Sequence, residues 1–227
     1  MSAATGALNP PLKLIIQKSL LHPAAKPLLF VLCLIPFAWL LYGAIANQLG
    51  ANPAEALIRA TGDWTLRFLC LVLAVTPLRV GLKMPALARF RRMLGLSMYF
   101  YVLLHVLSYS GFDMGFAIDD IAADIIKRPF ILVGFLAFVL LTPLALTSVN
   151  AAIKAMGPKR WQRLHKAVYA VAFLGILHFF WMRSGKNDFA EVAVYAGIIA
   201  LLMGWRIWHH LHQPAILAPS NRVPKPL

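Results

Sequence analysis

The stretch Trp161–Arg183, WQRLHKAVYAVAFLGILHFFWMR, places two histidines, His165 and His178, in one apolar run. The two are thirteen residues apart. At about 1.5 Å per residue that is about 20 Å of helix axis, roughly two-thirds of a hydrocarbon layer about 30 Å thick. The run therefore reads as a membrane-spanning helix with one imidazole near one face and the other in the opposite leaflet.

The rest of the chain has the same character. Of 227 residues, 60% are hydrophobic and 13% charged, with a mean hydropathy of +0.72, whereas soluble domains are about 45–50% apolar. The formal charge of +14 would suit nucleic acid if the basic residues shared an aromatic-rich polar face. They fall between apolar runs instead, so no nucleic-acid partner is expected and membrane lipid is. Cys33 and Cys70 lie within apolar runs, form no CxxC pair and read as inert buried thiols.

Six spans follow, at Pro27–Leu49, Asp63–Leu82, Met93–Gly111, Phe130–Asn150, Trp161–Met182 and Val192–His210. The expected fold is all-α, a polytopic six-helix membrane bundle. Residues 1–26 form an interfacial N-terminal segment, residues 27–210 the transmembrane domain and residues 211–227 a mobile tail containing Pro214, Pro219, Pro224 and Pro226. A cleaved leader is rejected because the first run is long enough to span and more membrane helix follows it. Pro36 is expected to kink that first span.

Loop charge predicts the orientation. Arg79, Lys83, Arg89, Arg91 and Arg92 lie between spans two and three, and Lys154, Lys159, Arg160 and Arg163 between spans four and five. Both loops should be cytoplasmic, and so should both termini. The loop with Asp113, Asp119, Asp120 and Asp124 should face outward.

Spans three and five then both enter from the cytoplasm. His105 lies thirteen residues past Arg92 and His178 twelve past Lys166, which makes them level, about 18–20 Å deep. Two neutral imidazoles at one depth suit the axial positions of a haem iron. Gly175, one turn before His178, is expected to clear room for a macrocycle, and Tyr101 and Tyr109 to line it. The plainer alternative is two isolated polar groups, each hydrogen-bonded to a neighbouring helix. His165 is level with Arg91 and Arg92, and three readings stay open for it: a second haem, a quinone or haem-propionate site shared with Arg79 and Arg91, or a simple interfacial histidine. The His209, His210 and His212 cluster reads as a solvated helix end rather than a metal site. No nucleotide-binding glycine loop and no HExxH occurs, so an electron donor must be a membrane quinol or another protein.

Several tags carry a resemblance when taken in order: Thr76-Pro77-Leu78-Arg79, Arg92-Met93-Leu94-Gly95-Leu96, the His105 span, Arg128-Pro129-Phe130, Leu141–Ser148, Trp161-Gln162-Arg163-Leu164-His165 and His178-Phe179-Phe180-Trp181. Together they resemble the MsrQ (YedZ) family, the haem-binding membrane subunits of the bacterial methionine sulfoxide reductase system, within the ferric-reductase-like transmembrane superfamily. The resemblance covers nearly all of residues 10–210. It implies a bacterial inner-membrane cytochrome with one haem b, or two, at His105, His178 and His165, and an FMN. Electrons would come from the quinone pool or a cytoplasmic flavin reductase and go to a periplasmic molybdopterin catalytic subunit that reduces methionine sulfoxide in proteins. The chain itself would be the electron-transfer subunit, with no complete catalytic site. NADPH oxidases of the wider superfamily carry two histidines in the third span, and here Arg91 stands at the second position.

Gly115–Lys127 reads as an interfacial helix with Ile118, Ile121, Ala122 and Ile125 on one face and Asp119, Asp120 and Asp124 on the other, an acidic face for a partner or for solvent. Three alternative functions remain: a same-fold cytochrome serving metal reduction or another periplasmic enzyme, a proton-coupled transporter with a histidine relay, and an assembly subunit.

Overall fold

The computed structural model describes residues 10–185 and 187–212. Residues 1–9 of the expected N-terminal segment, and the proline-bearing tail beyond His212, lie outside the described residues. The helices are α1 (Pro10–Leu21), α2 (Ala25–Ile45), α3 (Pro53–Gly81), α4 (Arg91–Ser108), α5 (Ile118–Lys127), α6 (Pro129–Leu146), α7 (Asn150–Met156), α8 (Pro158–His165), α9 (Val168–Ser184) and α10 (Ala190–Leu211). Six helical segments are long and apolar enough to cross a membrane, as the sequence implied. Large apolar side chains such as Trp39, Ile45, Phe173 and Leu201 are exposed on the outside of the bundle, where acyl chains would cover them.

The segments alternate in direction and so sort charge by end. All eight carboxylates fall at one end of the bundle or, for Asp63, ten residues along α3 from it, about 15 Å. The loops at the other end carry Arg79, Arg89, Arg91, Arg92 and the lysines of α7 and α8. These are called the acidic and basic ends below.

The first and sixth spans are shifted by one to four residues at their ends, to Ala25–Ile45 and Ala190–Leu211, and larger differences from the sequence reading have local reasons. Helix α3 begins ten residues before the expected Asp63, because Asn52 caps it by accepting the Glu55 N–H (3.1 Å) and Pro53 sits in its first turn. Its first turns carry Glu55 and Arg59, an i,i+4 ion pair that lowers hydropathy without breaking the helix. Helix α4 is preceded by a 3₁₀ turn, Pro85–Phe90, and runs into a π turn, Tyr109–Asp113. Helix α6 stops at Leu146 rather than Asn150, where the Thr147 and Ser148 hydroxyls bond back to Pro143 O (2.6 Å) and Leu144 O (2.7 Å). The fifth span is broken: α8 ends at His165 and α9 starts at Val168, the ladder between them tightening to i→i−3 bonds from Lys166 and Ala167. His165 and His178 therefore lie in two helical segments of the one expected span, Pro158–Ser184.

A proline inside a span leaves the carbonyl four residues earlier without its helical donor, and a neighbouring helix serves one of these. Pro77 cannot donate to Leu73 O, which accepts instead from the Arg206 guanidinium of α10. Beside Pro36 the Tyr101 hydroxyl accepts the Phe37 N–H (2.9 Å) and donates to Cys33 O (2.9 Å), bridging the two backbone groups of one helical hydrogen bond. Tyr101 is fully buried, stacked on Phe68 at 5.1 Å, and holds α2 against α3 and α4. Its expected place beside a macrocycle is thus corrected.

Candidate functional site

Helices α3, α4, α6 and α9 enclose a cavity of ≈ 510 Å³ toward the acidic end, with His105 and His178 on its wall. Leu66, Leu69, Leu141, Val171 and Phe179 make its deep part apolar, while Asn52, Glu55, Arg59, Asp113 and Arg128 ring its mouth.

The two imidazoles are held by the same device, used twice. His105 Nδ1 lies 2.9 Å from Ile58 O on α3, and His178 Nδ1 lies 2.7 Å from Phe130 O on α6. A carbonyl only accepts, so each Nδ1 carries the proton and each Nε2 keeps a free lone pair. Four residues after each carbonyl comes a glycine. A Cβ on Gly62 would stand 3.3 Å from the His105 ring, and one on Gly134 only 2.8 Å from His178 Nδ1. The imidazole lies over the bare backbone, one helical turn past the oxygen it bonds.

The ring centres are 6.2 Å apart and the planes 79° to one another. Two metal–imidazole bonds of roughly 2 Å, with roughly 1 Å from each nitrogen to its ring centre, span about 6 Å across a single iron. Among the described residues no group of three or more His, Cys, Asp or Glu could hold a metal ion. Two protein ligands suffice only where a macrocycle supplies the others, so the pair, its free Nε2 atoms and the apolar cavity together fit a haem.

Sequence reasoning found both histidines but missed Gly62 and Gly134. Gly175, expected to clear room for a macrocycle, lines the cavity, and an added Cβ there would meet only Leu66 and Leu69, at 3.8 and 4.0 Å. The tags that could have pointed to the right glycines are Ile58-x3-Gly62 and Phe130-x3-Gly134. Tyr109 does line the cavity, brought there by the π turn, and donates to Asp124 at 2.6 Å. Asp124, expected on an outer acidic face, is turned inward and also meets Arg128 Nε at 2.8 Å. Asp119 and Asp120 are exposed, Ile121 and Ile125 face the cavity, and Ile118 is 79% exposed.

His165 lies elsewhere, at the end of α8. It stacks on Trp161 at 3.9 Å, and its Nε2 is 3.2 Å from Thr147 Oγ1; Trp161 Nε1 donates to Thr147 O at 2.9 Å. Arg91 bonds Thr76 Oγ1 at 2.6 Å and lies near the like charges of Arg79 and Arg206. Arg79 and Arg91 are at the basic end and do not line the His105–His178 cavity, whose arginines are Arg59 and Arg128. His209 and His212 stack on Trp205 and Trp208.

Comparison with known proteins gives a consistent set. Residues 61–176 match the family described as ferric reductase like transmembrane component. The chain is 76% identical over 194 residues, 86% of this chain and 89% of the relative, to the protein-methionine-sulfoxide reductase heme-binding subunit MsrQ of Polaromonas naphthalenivorans. Proteins with the same description from Herminiimonas arsenicoxydans and Caulobacter vibrioides are 50% and 45% identical, over 81% and 80% of this chain and 84% and 85% of theirs. No solved structure matches.

Proposed function

The chain belongs to the MsrQ family of heme-binding subunits of protein-methionine-sulfoxide reductase, built on a ferric-reductase-like multi-pass domain of the bacterial inner membrane, and on that premise we propose that it is a b-type cytochrome. It would carry electrons from the quinone pool, or a cytoplasmic flavin reductase, to a periplasmic molybdopterin subunit that repairs oxidised methionine. The observation that carries this reading is the His105–His178 pair, 6.2 Å apart with both Nδ1 atoms bonded to carbonyls.

A bound haem supplies one-electron chemistry at a near-constant geometry. The protein's part is to hold and tune it. His105 and His178 would hold the haem iron through Nε2, and the Ile58 and Phe130 carbonyls fix each ring's tautomer and raise its basicity. The apolar walls exclude water from the deep part of the cavity, and at its mouth Arg59 and Arg128 are ion-paired with Glu55 and Asp124. At the basic end, His165 with Arg79 and Arg91 forms the region where we place the donor, as a second haem or a quinone site. The FMN that the family resemblance implies is assigned no residue here.

A reduced-minus-oxidised optical spectrum of the detergent-purified protein, with haem quantified per chain, tests the proposal. Wild type should show a b-type signal that is lost in His105→Ala and His178→Ala. In His165→Ala, loss of a second haem equivalent assigns His165 to that haem, and full haem content assigns it to the donor or to structure. Folded wild type from haem-replete cells with no haem would overturn the reading.

A further inference from the structure

A second cavity, ≈ 750 Å³, lies toward the basic end between α2, α3, α4 and the corner joining α1 to α2. At about 100° per residue, its α3 wall (Ala74, Val75, Leu78) faces away from Gly62, Leu66 and Leu69, which line the histidine cavity. The two cavities therefore lie on opposite sides of α3. This one opens to the lipid side, since Leu28 and Leu32 on its α2 wall are 61% and 50% exposed.

Its lining is apolar apart from Lys18, Ser19 and His22 at the α1–α2 corner. His22 Nδ1 accepts the Ala24 N–H at 3.2 Å, which leaves Nε2–H as a donor. The ammonium, the hydroxyl and this N–H form a donor-rich head to a long apolar trough. Arg89 Nη1 donates to Leu20 O at 2.8 Å, fixing the corner and adding a second positive charge beside it. No charge opposes these: the segments that build the groove, residues 10–54 and 64–112, contain none of the eight carboxylates.

We propose that this groove binds an anionic phospholipid, its phosphate at Lys18, Ser19 and His22 and an acyl chain along Leu28, Leu32, Ala74 and Leu78. A basic pocket between spanning helices with an apolar extension is complementary to such a lipid in both charge and length. A zwitterionic lipid would bring its own cation to a site with no carboxylate. The proposal is independent of the haem reading.

The test uses the full chain reconstituted in nanodiscs of mixed phosphatidylglycerol and phosphatidylcholine, with retained lipid counted by native mass spectrometry after gentle release. Wild type should retain phosphatidylglycerol in preference. Lys18→Gln should cut that retention about five-fold, the weight of one basic residue at an anionic surface, and Lys154→Gln, at the same end but outside the groove, should not. Ala74→Phe, which fills the trough, should remove retained lipid of either kind; if its circular dichroism shows misfolding, the Lys18 arm decides alone. No preference in wild type, or equal retention in Lys18→Gln, overturns the proposal. So does recovery of a stoichiometric isoprenoid quinone in place of phospholipid.

Discussion

Gly134 sets the tightest tolerance in the histidine cavity. A methyl there would stand 2.8 Å from His178 Nδ1, where the ring already bonds Phe130 O, so the ring would have to tilt off that oxygen. Gly134→Ala should weaken haem retention about 10–100-fold, the usual cost of losing an outer-shell partner of a metal-bound histidine, measured by haem transfer to apomyoglobin. Gly62→Ala, at 3.3 Å, should cost less. Unchanged retention in Gly134→Ala would show that the ring has room to move. Tyr101 has a different task. Tyr101→Phe keeps the stacking on Phe68 but strips the partner from Phe37 N and Cys33 O beside Pro36. It should cost about 1–2 kcal/mol, the penalty for buried unpaired backbone groups, read as a lower midpoint in thermal or SDS unfolding with haem stoichiometry unchanged.

At the level of elements, α5 closes the mouth of the cavity. Ile121 and Ile125 point into it, and Asp124 ties the helix to Tyr109 on the π turn and to Arg128 at the start of α6. Asp124→Ala should release this latch. Amide hydrogen exchange over Ile118–Lys127 should quicken by about ten-fold or more, the factor for losing about 1.5–3 kcal/mol of charge-assisted hydrogen bonding. If protection is unchanged, the apolar contacts alone hold α5. The amphipathic pattern of α5 was legible in the sequence, but the inward turn of Asp124 was not, because an aspartate is expected outside unless a buried partner is known. The break between α8 and α9 was hidden for a similar reason. Nothing in Leu164-His165-Lys166-Ala167 breaks a helix by propensity; the hydrogen bonds of Trp161 and His165 to Thr147 hold α8 to the end of α6.

At the scale of the whole molecule, charge is sorted between two ends, as the expected orientation requires. Cysteine-accessibility labelling in spheroplasts should find Ser184 and Asp119 positions reachable from outside and Lys154 only after lysis; the reverse pattern would invert the proposed electron path. If the proposed periplasmic partner docks on the face of Asp119 and Asp120, charge reversal at these exposed residues should slow its reduction and change the salt dependence. Unchanged kinetics would remove that face as the docking site. The sequence by itself determined the number of spans, the charge asymmetry and the level pairing of His105 with His178, because hydropathy, loop charge and helical rise act along the chain and can be counted there. Only the tertiary structure decided which carbonyls orient the two rings, that Gly62 and Gly134 make room for them, that Tyr101 bridges Cys33 O and Phe37 N beside Pro36, and that α5 turns Asp124 inward. Each of these is a contact between helices far apart in sequence. Its energy depends on distances of a few tenths of an ångström, and residue order does not encode those without the fold.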